Sequence, residues 1–463
     1  MTTAPLEAAR EALAGRAAWL VGGAVRDQLL GRATDDVDVA VDGDPREAAR
    51  TIARATGGAA FRLSDEFGAW RVVGPGHGWN VDLVPLRDGD ITADLAARDF
   101  TINAMAEPLG GGELLDPHGG RADLAARRVR MVSEAALADD PLRTLRAVRL
   151  VVELGLELEP STGAAVAAHA AELGRVAPER VFGELKRVVT SSRAGEGLRL
   201  MARFGVLAAV LPELHALRGV DQNEFHHADV FDHTLEVLGA VGSLGRDPSV
   251  FGDQAGAVGR LLAEPLADDL TRGAAMRFAA LLHDAAKPAT RGVRPDGRVT
   301  FIGHDTAGAD LARAVLRRLR ASQRLVEYVA ALTQHHLRLG FLVHERPLDR
   351  RSVWRYLRAT APYSADVTVF TVADRLATRG RNAEGAIAAH VELAVEVLGH
   401  AFASPVGEPL IRGDELAREL SIEPGPGLGE LLAQLEEDRY VGEVATREDA
   451  IRRARELVHE RRI

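Results

Sequence analysis

The sequence has no cysteine in its 463 residues. That excludes disulfides and thiolate metal sites and leaves histidine and carboxylates as the available metal ligands. Lysine is nearly absent too, at Lys186 and Lys287 alone, so almost all positive charge sits on arginine, whose planar fork suits phosphates and base edges. No run of about 18 apolar residues occurs, so no transmembrane helix is predicted and no membrane partner is expected. The opening MTTAPLEAAR lacks a basic stretch followed by an apolar one, so no secretory signal is expected. A cytoplasmic location fits these absences. The formal net charge is −10. Excess positive charge is missing, which argues against general coating of nucleic acid but leaves room for one local basic groove.

What is present is a globular balance, 46% hydrophobic and 27% charged. The length implies about two to four domains. The first segment alternates strand and helix signals. Ala18-Trp19-Leu20-Val21 is a short apolar run that stops at Gly22-Gly23, followed by a helix-like stretch to Leu30. Val37 to Val41 alternates with period two, as a half-buried strand does. Trp70–Val73 and Asn80–Val84 read as further strands joined by the turn-rich 74–78 segment. This α/β unit is expected to end near residue 130.

From about residue 135 the pattern is helical almost throughout. Leu142, Leu145, Val148 and Val152 recur at helical spacing, while Arg143, Arg146 and Arg149 fall three apart on another face. Most histidines lie between residues 222 and 345. The segment 423–429, Glu-Pro-Gly-Pro-Gly-Leu-Gly, reads as a turn within the last helical stretch.

Nucleotidyl or phosphoryl transfer needs donors for a triphosphate and carboxylates for a divalent metal. The first segment offers both in order. Gly22-Gly23 sits between strand and helix, where bare N–H groups approach phosphate closely, and Arg26 follows on the first helical turn. Asp36 and Asp38 flank Val37, so on a strand both point to one face and can share Mg²⁺. A Gly-Gly turn or a D-x-D alone usually means nothing; the two in this order are a site signal. No G-x-x-x-x-G-K-[ST] occurs, which removes the P-loop reading. Asp82 is either a third carboxylate or an edge-strand surface residue.

Arg98-Asp99-Phe100-Thr101-Ile102-Asn103 places a second Arg beside an Asp. Asp140-Pro141-Leu142-Arg143-Thr144-Leu145-Arg146-Ala147-Val148-Arg149 heads an arginine ladder with a carboxylate. Asp140 and Arg143 together can imitate the pairing edge of a base, and Arg146 and Arg149 can reach phosphates; a solvated helix face is the plain alternative.

These motifs in this order, VGGAVRDQLLG…DDVDVAV, RDFTINAMA…LLDPHGGRADL, DDPLRTLRAVR and APERVFGELKRVV, resemble the class II tRNA nucleotidyltransferases, which include CCA-adding enzymes and bacterial poly(A) polymerases. The dense resemblance covers about the first 215 residues, and the Gly413–Glu430 stretch resembles the family's tail. One departure is visible: the family usually has Glu-Asp-Pro-Leu-Arg where this chain has Asp139-Asp140-Pro141-Leu142-Arg143.

The resemblance implies a multidomain, mainly α protein: an N-terminal α/β head of the polymerase-β type over residues 1–130, a helical neck over 131–220, an all-α HD body over 221–345 and a helical, tRNA-binding tail over 346–463. It implies that Gly23, Arg26 and Arg98 contact the incoming nucleotide. Asp36 and Asp38 would bind Mg²⁺, Asp140 and Arg143 would read C or A, and Arg146 and Arg149 would support that pocket and the phosphates. The implied partners are tRNA, CTP and ATP. Arg452-Arg453-Ala454-Arg455 and Arg461-Arg462 are candidate tRNA contacts, though each alone reads better as a solvated helix end.

His233, His283-Asp284 and Asp374 follow an H…HD…D order, with His304, His335 and His336 as further candidate ligands. The set LLHDAAKP…GHD…QHH…AD resembles the HD phosphohydrolases. That resemblance implies one or two divalent metals, Ni²⁺, Mn²⁺ or Co²⁺ among them, and phosphatase or 2′,3′-cyclic phosphodiesterase action. The alternative is a helical body that docks tRNA without hydrolysis. Three readings of function follow: full CCA addition; partial CC, A or poly(A) addition by the same chemistry; and an HD-type nucleotide hydrolase with a degenerate front end, against which the intact D-x-D and arginine ladder argue.

Overall fold

The computed structural model describes residues 4–33, 36–65, 68–222, 228–379, 383–403 and 409–461. The chain divides into two compact units, Met1–Val210 and Leu211–Ile463.

The first unit opens on a six-stranded sheet. Its strands are β1 (Ala18–Val21), β2 (Asp36–Val41), β3 (Ala59–Ser64), β4 (Ala69–Val73), β5 (Asn80–Pro85) and β6 (Ala106–Pro108). They lie in the order β3-β4-β5-β2-β1-β6. β2 and β5 run parallel, with Asp36 beside Asn80 and Asp38 beside Asp82. The period-two pattern of β2 is what aims Val37, Val39 and Val41 into the core and both aspartates outward. Helices α1 (Ala4–Ala12), α2 (Gly23–Leu29) and α3 (Pro45–Thr56) help bury that core with Leu6, Leu20, Val25, Ile52 and Leu83. Asp44 caps α3 by accepting from the Arg46 amide at 2.8 Å, and Gly57 ends it in a left-handed conformation. On the opposite face Val21, Ala40 and Ala106 pack with Leu95 of α4 (Ile91–Ala96).

β1, β2, β4 and β5 fall where the apolar runs place them. β3 and β6 carry no such signal: β3 is an edge strand with Phe61 and Leu63 exposed, and β6 has three residues. β5 is an interior strand, so Asp82 is not an edge residue.

The Leu142–Leu154 helix buries Leu142, Leu145, Val148 and Val152 as their spacing requires, and it packs on the helices Pro178–Thr190 and Ala194–Arg203. A short parallel pair, β7 (Arg128–Val129) with β8 (Glu157–Leu158), precedes and follows it.

The second unit is helical, as expected, but contains two small hairpins that the sequence did not announce. They are β9 (Pro265–Ala267) with β10 (Leu270–Thr271), and β11 (Gly292–Val293) with β12 (Val299–Thr300). The expected turn at 423–429 stops at Gly425, because Pro426 opens a helix that runs to Val441. Proline fits that first helical turn, where its missing N–H is no loss. Ala383–Ala403 is long and apolar enough to cross a membrane by length and composition alone. It packs on the Ser364–Ala377 helix, buries one stripe of Leu393, Ala394, Val397 and Leu398, and carries Glu392 and Glu396 elsewhere.

Gly120 sits where a Cβ would lie 2.3 Å from the Thr101 carbonyl oxygen and 3.0 Å from Met105. Gly120→Ala is therefore expected to destabilise the first unit by about 1–3 kcal/mol. A lowered denaturation midpoint checks this; an unchanged one refutes it.

Candidate active site

In the first unit the glycine turn, β2, β5 and the 94–103 segment converge. Gly22 has φ +71, and a Cβ there would stand 3.0 Å from Arg98 Nη1 and 3.2 Å from Asp38 Oδ2. Both the left-handed backbone and the close approach require glycine. The turn's backbone, the Arg98 guanidinium and the Asp38 carboxylate thus share one small space. Asp94 holds Arg98 through Nε and Nη2 at 3.1 and 2.9 Å. Asn80 donates to Asp36 at 2.7 Å. Arg71 forks onto Asp82 at 2.6 and 2.7 Å.

Asp38 has its pKa pushed up to about 6. Loss of water around the carboxylate is the main cause; Asp82 and Asp36 add to it, and Arg98 and Arg71 oppose it. Part of the residue is open to solvent, but its carboxylate faces Gly22 and like charges on two strands. A set of oxygen donors short of positive charge is the chemistry that suits a hard divalent cation. Asp82, left open in the sequence, belongs to this group by register.

Other expected residues are placed differently. Arg26 is buried and spoken for: Asp27 accepts from it at 3.0 Å twice, and Asn103 accepts at 2.6 Å. Asn103 in turn donates to Asp99 at 3.1 Å. Arg146 donates to Asp99 at 3.1 Å and to Glu184 at 2.9 Å, and Arg149 lies 2.9 Å from Glu184. Arg146 and Arg149 thus meet buried carboxylates of neighbouring segments. Arg143 donates to the carbonyls of Ala97, Arg98 and Ala136 at 2.9, 3.3 and 3.0 Å. Asp140 accepts from Arg180 at 2.7 Å. Arg180, Asn103 and Glu184 were given no role from sequence; Arg180 and Glu184 lie in the quoted APERVFGELKRVV stretch, one turn apart.

The second unit gathers the histidines. His233 Nε2 lies 3.1 Å from Asp374 and 3.7 Å from Asp284. His283 Nε2 lies 3.2 Å from Asp284. His304 Nε2 lies 3.3 Å from Asp284 and 3.3 Å from His336 Nε2. His336 joins the group and His335 does not: His335 points away and accepts from Arg338 at 3.0 Å.

His283, His304 and His336 each direct Nδ1 to the carbonyl three residues back, at 2.9, 2.6 and 2.6 Å. That bond fixes the proton on Nδ1 and leaves Nε2 as an acceptor facing the centre. Burial, with His283 beside it, pushes His336 down to about 4, so its ring is neutral. Burial raises the Asp284 pKa, but His283 and Lys287 outweigh it and hold the carboxyl well below its usual range. Two Nε2 acceptors 3.3 Å apart repel unless a cation stands between or beside them. The donor sets His233-His283-Asp284 and Asp284-His304-His336 both suit a divalent metal.

In the tail, Arg452 and Arg453 pair with Asp449 and Asp438, and Arg455 lies 4.0 Å from Glu419. Arg462 lies outside the described residues.

A family model described as the poly(A) polymerase head domain matches residues 18–77 and 76–130. One described as a probable RNA- and SrmB-binding site of polymerase A matches 155–218, and the HD domain matches 230–379. The chain is 39% identical to the A-adding tRNA nucleotidyltransferase of Deinococcus radiodurans, over 93% of each protein. It is 36% identical to the CC-adding tRNA nucleotidyltransferase of Thermus thermophilus, over 94% of this chain and 92% of the relative. Among solved structures, the Bacillus stearothermophilus CCA-adding enzyme in complex with CTP superposes with a TM-score of 0.67 at 23% identity, covering 100% of this chain and 99% of that one.

The raised Asp38 pKa costs the metal-free protein stability above pH about 6. Asp38→Asn is expected to raise the denaturation midpoint at pH 7 in chelator. The gain should vanish as pH falls through 6 toward the ordinary carboxylate value of 3.8. A gain that persists at pH 3.5 would count against this account.

Proposed function

Because the chain belongs to the class II tRNA nucleotidyltransferase family, which includes CCA-adding enzymes and bacterial poly(A) polymerases, we propose that it completes the CCA end of tRNA from CTP and ATP, without a nucleic-acid template and with release of pyrophosphate. The observation that carries this reading is the convergence of Gly22, Arg98 and the Asp36, Asp38 and Asp82 carboxylates. The 3′ hydroxyl oxygen of the RNA bonds to the α-phosphorus as the bond to the bridging oxygen breaks. The glycine turn and Arg98 hold the triphosphate in line for that displacement. Asp36 and Asp38, with Asp82 behind them, would hold Mg²⁺. When bound, the metal neutralises triphosphate charge and lowers the pKa of the attacking hydroxyl. Asp140 and Arg143 read the base; Arg26, Arg146 and Arg149 brace the residues that touch nucleotide. The head is residues 1–130, the neck 131–220, the HD body 221–345, which Asp374 joins from beyond it, and the tail 346–463, which touches tRNA. The compartment is the cytoplasm.

Relatives named for A addition and for CC addition keep the partial reactions as a second reading. tRNA lacking its end, given CTP and ATP separately and together, separates the cases by product length. Addition of CCA is expected; a stop after CC, addition of A alone to a CC end, or a long A tail each replaces this reading with another. Asp36→Ala and Asp38→Ala should each lower incorporation by at least about 10³-fold, the scale of losing an electrostatic anchor of the transition state, with tRNA binding retained. Turnover in both variants would sink the assignment.

The histidine cluster of the second unit supports a metal-dependent phosphohydrolase site. Hydrolysis of a 2′,3′-cyclic phosphate with Ni²⁺, Mn²⁺ or Co²⁺ is the expected outcome. No turnover with any of the three favours a docking role for this unit.

A further inference from the structure

Pairing across the sheet of the first unit sets Phe61 opposite Arg71, Arg71 opposite Asp82 and Asp82 beside Asp38. Directly paired residues point to the same face of a sheet. The four therefore form one row, from the candidate metal carboxylates out to the β3 edge. The next row, Arg62, Trp70, Leu83 and Val39, points the other way. Leu83 and Val39 are buried in the core, and the guanidiniums of Arg46 and Arg62 lie 5.7 and 5.9 Å from the centre of the Trp70 ring. Arg71 and Phe61 thus share the face that carries Asp36, Asp38 and Asp82. Phe61 stands three strand spacings from Asp38, about 15 Å, with Arg71 between them.

That order matches a nucleic-acid end. An RNA that brings its 3′ oxygen to three carboxylates also brings a phosphodiester one nucleotide back. The carboxylates repel that phosphate unless a cation stands beside them. Arg71 is a cation on this row. Its fork to Asp82 spends two of its five N–H groups, and its side chain stays 32% exposed. It can hold the carboxylate and meet a phosphate together. Beyond it, Phe61 is 47% exposed although it is large and aromatic. An aromatic face stacks on a base of any identity, which suits an end whose last bases change with every addition.

We propose that Arg71 and Phe61 form a subsite for the single-stranded 3′ end of the acceptor RNA: Arg71 holds the phosphate behind the terminal nucleotide, and Phe61 stacks on the next-to-last base. This rests on reading the carboxylates as the nucleotidyl-transfer site. The incoming nucleotide takes no part in the subsite, because its place is on the other side of the carboxylates, at the Gly22 turn and Arg98.

The test uses the full-length protein and a tRNA that lacks its final nucleotide and carries 2-aminopurine, whose fluorescence stacking quenches, in the next-to-last position. Phe61 is half exposed on an edge strand, so its replacement should spare the fold. At saturating protein the Phe61→Trp complex should be as dim as the wild type and the Phe61→Leu complex brighter. Phe61→Leu should also raise the KM for tRNA about tenfold, the scale of one lost base–aromatic stack, without raising that for ATP. Arg71→Gln should lower the slope of log affinity for tRNA against log salt by about one, which loss of its hold on Asp82 alone would not do. Equal brightness of the wild-type and Phe61→Leu complexes, or an unchanged salt slope in Arg71→Gln, overturns the inference. So does a wild-type dimer that Phe61→Leu dissociates, since the β3 edge would then pair with a second copy. Such a result with nucleotide incorporation intact in the wild type removes the subsite alone. A wild type that incorporates neither CTP nor ATP removes the transfer reading and the subsite with it.

Discussion

The buried carboxylate of Asp99 is the node on which the first unit's site depends. Burial alone would raise its pKa, but Arg146, Asn103 and the Phe100 amide overcome that and hold it below the ordinary carboxylate value. Asn103 carries the chain of bonds to Arg26 beneath the glycine turn. Arg146 carries it to Glu184, which Arg149 also approaches. A charge this buried is tolerated only while its partners stay in place, and loss of one partner costs about 3–5 kcal/mol. The glycine turn and the helix headed by Asp140 and Arg143 are therefore held by one electrostatic arrangement. Arg143 tightens the same link by bonding the carbonyls of Ala97 and Arg98.

The two sites solve one problem with opposite groups. In the first, loss of water around Asp38, with like charge on neighbouring strands adding to it, pushes that carboxyl up to about 6. In the second, imidazoles pinned by their Nδ1 hydrogens turn their Nε2 lone pairs on a common centre. Each arrangement is unfavourable as it stands, and a divalent cation would relieve each. Rigid elements supply the order in advance: strand register in one case, and helices from residues far apart in sequence in the other.

Much of this was legible. β2 announces itself by alternation, and its D-x-D follows from that pattern. The Gly22-Gly23 turn is marked by the apolar run before it, and the helix at 142–154 by its spacing. What was not legible depends on partners distant in sequence. Asp82 joins the carboxylates through pairing of β5 with β2, a register no local pattern states. His336 rather than His335 faces the cluster because one residue on a helix turns the side chain by about 100°. The partners of Arg26, Arg146 and Arg149 were not legible either: Asp27, Asn103, Asp99 and Glu184 meet them only in three dimensions. The β11–β12 hairpin is two residues on each side, too short for any periodicity to show.

Asp140 and Arg143, the pair proposed to read the base, are held unequally, which bears on how one pocket would serve two bases. Asp140 is held by a half-exposed Arg180, a pairing of a kind worth only about 0–1 kcal/mol. Arg143 is held by three backbone carbonyls and is partly buried. Under the proposed reading, Asp140 is the half that yields easily and Arg143 the half that does not. Cytosine and adenine both present an exocyclic amine as donor beside a ring nitrogen as acceptor, but the two differ in size. A fixed cationic donor with an acceptor that swings between Arg180 and a base can meet both rings without rebuilding the pocket. Guanine and uracil place a carbonyl where that amine would be, and an aspartate has no proton to offer it. Selection against them thus follows from the charge of Asp140, and acceptance of both C and A from the weakness of its bond to Arg180.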